Sequence, residues 1–152
     1  MPPTLEVHVH CGAVAVDDGA LLSAAKRALP LCLAETGNSG AAVLGELETI
    51  EVSLISDAEI ARVHGEFMDD PEPTDVITFP HGEILISVET AAREGGRHGH
   101  SASRETLLYL IHGLLHLNGH DDLGDAPRAA MHAVQERILD RVSPLPGAEN
   151  RE

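Results

Sequence analysis

Residues 107–122 read Leu-Leu-Tyr-Leu-Ile-His-Gly-Leu-Leu-His-Leu-Asn-Gly-His-Asp-Asp. Up to Leu117 the segment is apolar on nearly every side, which predicts a central, buried helix rather than one with a single packed face. Two histidines inside such a helix need an explanation. His112 and His116 stand at i and i+4, so they share a face about 6 Å apart along the axis, and both imidazoles can reach one metal ion. A lone core histidine is usually a hydrogen-bonded structural residue; two on one face favour a metal. Asn118-Gly119 ends the helix, and Gly119 can take positive φ and fold the chain back. His120, Asp121 and Asp122 then follow as ligand candidates. His, His at i+4, Gly at i+7 and a ligand at i+10 is the arrangement that closes a three-ligand site and leaves a fourth position open.

Gly113 stands where an HExxH metalloprotease keeps its catalytic Glu, and its absence argues against ordinary peptide hydrolysis. Glycine costs about 1 kcal/mol relative to Ala in a helix interior. Two reasons for tolerating it are open: close packing against another backbone, or room for substrate beside the metal.

Outward from this helix, Leu5, Val7 and Val9 alternate with Glu6, His8 and His10 as in a half-buried strand, placing His8 and His10 on one face as surface residues. Asp17 or Asp18 caps a helix running to about Glu35, with Pro30 near its end and Gly37 beyond it. A second strand spans 47–55, and Ser56 with Glu59 forms a capping box for a helix to about Met68. Residues 69–75 read as a loop, followed by short strands at 76–79 and 84–88. Residues 90–96 read as a short helix ending at two glycines, and 95–101 as a polar loop. Ser103 caps the histidine helix, and Asp125 with Pro127 starts a last helix to about Val142. This order gives an α+β fold: one domain over 1–142, a small mixed sheet packed with helices around a metal-bearing central helix, and a frayed tail at 143–152.

The 152 residues suit one domain, and a formal charge of −15 excludes a basic protein that coats nucleic acid. Aromatics are few (Phe67, Phe79, Tyr109), which excludes the stacking platforms of single-strand-binding modules. Cys11 and Cys32 show no paired metal spacing and read as reduced thiols. No basic leader and no long apolar run is present, so a cytoplasmic protein without membrane partners is expected.

These residues resemble a family, the YbeY endoribonucleases of rRNA maturation and ribosome quality control. Its signature H-G-x-L-H-L-x-G-Y-D-H is similar to HGLLHLNGHDD at 112–122. Its P-T-D-V-L-S-F-P segment is similar to Pro73-Thr74-Asp75-Val76-Ile77-Thr78-Phe79-Pro80, and its G-D-I-x-I-S strand to Gly82-Glu83-Ile84-Leu85-Ile86-Ser87. The resemblance spans roughly residues 45 to 140, in matching order. It implies a zincin-like sandwich and a metal-dependent endoribonuclease acting on single-stranded rRNA beside the small ribosomal subunit. It also implies one Zn²⁺ per chain, held by His112, His116 and the residue at position 122.

Two departures stand out. Asp122 replaces the family's final His, with His120 at the Tyr position as the alternative third ligand; a carboxylate makes the site harder and admits Mn²⁺ or Fe²⁺. Met68 aligns where many members carry an Arg. The catalytic group is then a metal-bound water, with Asp75 a candidate base or partner of a ligand imidazole. Arg93, Arg97 and Arg104, with His98 and His100, are the candidate phosphate contacts. The rival readings are a ribosome-assembly binding factor whose metal is structural, a metallohydrolase of another substrate, and a non-haem iron oxygenase.

Overall fold

A computed structural model describes residues 2–35, 37, 42–68, 75–121 and 123–143. The elements are β1 (Thr4–Val9), α1 (Asp18–Leu33), a short 3₁₀ turn (Leu44–Glu46), β2 (Thr49–Ile55), α2 (Asp57–Met68), β3 (Val76–Phe79), β4 (Glu83–Ser87), α3 (Val88–His98), α4 (Ala102–Leu117) and α5 (Asp125–Val142). The expected α+β class is what forms. Apart from Ser143, the expected tail at 143–152 lies outside the described residues.

The sheet has the order β1-β2-β4-β3, with β1, β2 and β4 parallel and β3 antiparallel at one edge. β4 is an inner strand covered on both faces, so Ile84, Leu85 and Ile86 are all buried and no alternation shows. On one face, Ile50, Val52, Leu54, Ile84 and Ile86 join α1, α4 and α5 in the main core. On the other, Ile55, Ile77 and Leu85 meet Ile60 and Val63 of α2 in a smaller one.

Eleven of the sixteen residues of α4 are buried, as its all-round apolar sequence requires. At Gly113 it lies tight against the sheet: a Cβ there would lie 2.9 Å from Ile84 Cδ1 and 3.1 Å from Thr78 Oγ1. Of the two reasons for this glycine, the structure supports packing, though against the side chains of Ile84 and Thr78 rather than against another backbone. At the C-terminal end, Asn118 is buried and its Nδ2 donates to the carbonyls of Cys32 (2.9 Å) and Glu35 (2.7 Å). It caps the end of α1 and fixes that helix beside the end of α4.

Several boundaries differ from the sequence reading. α1 stops at Leu33, short of Glu35, once its last carbonyls are taken by Asn118. β2 starts at Thr49 and β4 runs 83–87. α3 does not end at its glycines but runs from Val88 to His98 and closes at Gly99, which has φ 74°. It passes through Gly95 because a Cβ-less residue is needed there: an added Cβ would sit 3.1 Å from Glu105 Cβ. α4 is capped by Ser101, whose Oγ accepts the Arg104 N–H, not by Ser103. The Ser103 hydroxyl instead accepts the N–H of Asp17, itself the cap of α1. α5 starts at Asp125 and ends at Val142 as expected, with Gly124 at its N-cap.

Candidate metal centre and the cavity beside it

His112 and His116 lie one turn apart on α4 with their Nε2 atoms facing at 3.0 Å. The other nitrogen of each ring is held. His112 Nδ1–H donates to the Gln135 side-chain oxygen (2.8 Å) and His116 Nδ1–H to the backbone oxygen of His120 (2.8 Å). With the protons on Nδ1, two Nε2 lone pairs converge on one point, an arrangement that repels itself unless a cation sits between. The pair therefore fits a metal of the kind that takes imidazole.

Of the two candidates for the third ligand, Asp122 lies outside the described residues. His120 is buried, and its Nε2 faces the backbone oxygen of Glu35 at 3.3 Å. Asp121 accepts the Leu123 N–H through Oδ1 (3.1 Å). Met68 ends α2.

A cavity of about 880 Å³ opens beside His112. Asp75, Arg93, Glu94, His98, His100, Glu105, Tyr109, Gln135 and Glu136 are among its walls. Asp75 thus shares the cavity with His112, whose Nδ1 is met by Gln135, and an Asp75 oxygen takes the N–H of Val76 (2.7 Å). Arg93 lines the cavity and is tied to Asp57 (2.8 Å); Arg97, not itself a wall residue, pairs with the wall residue Glu94 (3.3 Å), and Arg104 pairs with Asp140 (2.8 Å), neither of them a wall residue. Burial opposes the charge on Asp57, but hydrogen bonds from Arg93, Ser87 and Thr90 and the Arg93 charge outweigh it and hold the carboxyl below its usual range. Burial first, then the nearby Glu105 and Asp75 carboxylates, push the Tyr109 phenol well above its ordinary range, so the hydroxyl remains a donor.

The sequence reading missed Gln135 and Glu105. Gln135 had a signal: it stands in line with Met131, Ile138, Leu139 and Val142 on the buried stripe of α5, where a polar residue needs a reason. Glu105 had one too, as a carboxylate inside a helix with no exposed face. His98 and His100, read as phosphate contacts, both turn toward Glu105.

An α+β fold whose central helix carries two imidazoles converging on one point, one of them on the wall of an open cavity, has the donor chemistry that a metal-assisted hydrolase uses. The chain matches the family Endoribonuclease YbeY over residues 12–143. Among curated relatives, it is 36% identical to the endoribonuclease YbeY of Moorella thermoacetica, covering 78% of this chain and 85% of the relative. It is 34% identical to that of Heliobacterium modesticaldum (71% and 75%) and 36% identical to that of Micrococcus luteus (65% and 76%). The solution structure of TM1509 from Thermotoga maritima shares the fold, with a TM-score of 0.58 at 24% identity over 90% of this chain and 89% of that one. The chain belongs to the YbeY endoribonuclease family, and the enzyme class that goes with membership is that of hydrolases cutting RNA phosphodiester bonds. Among the described residues no helix is long and apolar enough to cross a membrane.

Proposed function

We propose that this chain is a metal-dependent endoribonuclease specific for single-stranded RNA, acting in rRNA maturation and ribosome quality control in the cytoplasm. The observation that carries the reading is the convergence of His112 and His116 Nε2 at 3.0 Å, with each Nδ1 already committed to a carbonyl oxygen. Asp122 is the third ligand, because i+10 after the Gly119 turn returns to the metal and the His120 ring faces the Glu35 carbonyl instead. The ion is zinc, one at this site in each chain, and the carboxylate also admits Mn²⁺ or Fe²⁺. When bound, it lowers the pKa of a coordinated water toward about 7 and screens phosphate charge.

The chain's own residues do the rest. Gln135 and the His120 carbonyl orient the imidazoles, and Asp75 is the base that would take a proton from the attacking water, a role its position on the wall of the same cavity as His112 supports. Arg93 is the nearest guanidinium for a phosphate; Arg97 and Arg104 act farther along the surface. The candidates for a fourth protein ligand, His120 and Asp121, have other partners, which supports a position open to water over a closed structural site.

With a charge of −15, intrinsic affinity for free RNA is weak and steeply dependent on salt, so the small ribosomal subunit presents the substrate. The test is incubation of metal-loaded protein with single-stranded RNA, duplex RNA and a denatured protein, against a His116→Ala control. Cleavage of single-stranded RNA alone, lost with the control and with chelator, is the expected result. Retained metal without cleavage of free RNA or ribosomal particles overturns it in favour of an assembly factor with a structural metal.

A further inference from the structure

We propose that His98, His100 and Glu105 form a second divalent-metal site, distinct from the one at His112 and His116 and opening on the same cavity. The Glu105 side chain is 1% exposed, in the first turn of a helix otherwise packed by apolar residues. A carboxylate so buried needs compensating positive charge. Besides a hydrogen bond with the Tyr109 side chain, two imidazole nitrogens of the same kind face it: His100 Nδ1 at 2.8 Å and His98 Nδ1 at 3.2 Å. The ligand atoms of the three residues all lie within 4.8 Å of one another. Donors bound to zinc at about 2.0–2.2 Å in a tetrahedron lie about 3.3–3.6 Å apart, a separation that the three donors reach by a modest adjustment of the rings. His98, 52% exposed, is free to make it, while His100, 16% exposed, and Glu105 form the fixed side of the chelate. On binding, each ring keeps its proton on Nε2 and offers the Nδ1 lone pair.

The backbone is shaped for this convergence. Gly99, at φ 74°, reverses the chain between the two histidines, and the His100 N–H donates to the Gly95 oxygen (2.8 Å). That turn brings both rings back to α4, while the missing side chain at Gly95 lets the end of α3 lie directly over Glu105. Two nitrogens and one carboxylate oxygen form a donor set that zinc-class ions accept with a position left open.

Glu105 and His112 stand at i and i+7 on α4, about 10 Å apart along the axis. Paired catalytic ions sit about 3.5–4 Å apart, so the two ions cannot share one scissile phosphate. The second ion instead supplies positive charge to a cavity whose walls include Asp75, Glu94 and Glu136. On the endoribonuclease reading above, and resting on it, that charge holds a neighbouring phosphate of the substrate.

The test is zinc titration of the full chain by calorimetry, with metal content measured by mass spectrometry. Two equivalents are expected for the unaltered protein. One should remain in the His98→Ala/His100→Asn variant and one in His112→Ala/His116→Ala. His98→Ala alone, a change at an exposed side chain, should weaken the second equivalent about tenfold or more without loss of the helical signal in circular dichroism. A single equivalent in the unaltered protein overturns the proposal. So does a second equivalent that both the double variant and His98→Ala leave unchanged. Two equivalents that respond in this way with no cleavage of RNA would leave the second site standing and remove the nuclease reading.

Discussion

α4 carries ligand chemistry at both ends of one face, and the two ends hold charge in opposite ways. Toward the C-terminus, His112 and His116 give their Nδ1 protons to uncharged carbonyl oxygens and aim two lone pairs at a common point. Toward the N-terminus, the helix supplies the anion, Glu105, and the imidazoles arrive from the end of α3. The first end is a set of bases arranged for a cation; the second is a buried carboxylate that requires positive charge to stay buried. The two ligands of the first end can therefore be read from the spacing within a single helix, with Gln135 of α5 orienting one of them, whereas the ligand set of the other exists only once α3 has packed on α4.

The largest effect expected from breaking this contrast is at the C-terminal end. His112→Ala/His116→Ala should lose the ion there and reduce RNA cleavage by more than about 100-fold, beyond the usual cost of removing an orienting partner. Metal analysis and a cleavage assay check both. Within the same end, Asp122→Ala should lose that ion and His120→Ala should keep most of it. The opposite pattern would move the third ligand by two residues and put His120 in the role given to Asp122.

Next in size is Gln135. If an uncharged carbonyl is what prepares His112, then Gln135→Leu should weaken metal binding by about 10- to 100-fold while the protein stays folded. Titration calorimetry measures it. An unchanged affinity would mean that His112 is oriented by its packing alone, and the contrast between the two ends would lose its physical basis.

How much of this was legible in the sequence follows the same division. The pair at His112 and His116 is written in one helical turn, so spacing along the chain sufficed, and the apolar run around it announced a buried helix. The order and type of the elements were likewise readable from alternation and caps. The site at Glu105 depends on α3 passing its glycines at 95 and 96 and turning only at Gly99, and the sequence reading stopped the helix at those glycines. Gly95 is tolerated because Glu105 Cβ and the His100 carbonyl crowd it, a tertiary fact that no local propensity encodes. The same limit left Gly113 undecided until Ile84 and Thr78 were seen to fill the space over it.

Gly113, between the two histidines, gives a smaller prediction. Gly113→Ala adds a methyl group that must displace Ile84, a cost of about 1–3 kcal/mol, offset by about 1 kcal/mol of better helix propensity. A net loss of up to about 2 kcal/mol in urea unfolding is expected, with metal content unchanged. Gly113→Glu, which restores the HExxH spacing, should fail to fold stably rather than gain proteolysis. A stable, metal-loaded Gly113→Glu protein would show that the space above this glycine is open after all.

The smallest effect concerns Asp57, which lies beside the start of α3, away from its Glu105 end, and holds Arg93, a guanidinium on the cavity wall. Its carboxyl lies below the usual range because the bonds from Arg93, Ser87 and Thr90 outweigh burial. A group depressed in the folded state contributes stability in full above its unfolded value and loses it as pH falls through the folded one. The unaltered protein should therefore exceed Asp57→Asn in stability most clearly near neutral pH, with the difference vanishing on acidification below the carboxylate range. Thermal unfolding followed from pH 7 downward checks this. Replacing the carboxylate also frees Arg93 for phosphate, so affinity for single-stranded RNA at low salt should rise about two- to threefold in the variant, the scale of one exposed ion pair. A stability difference that grows as the pH falls would reverse the sign, and would mean that the Asp57 carboxyl is held above its usual range in the folded protein.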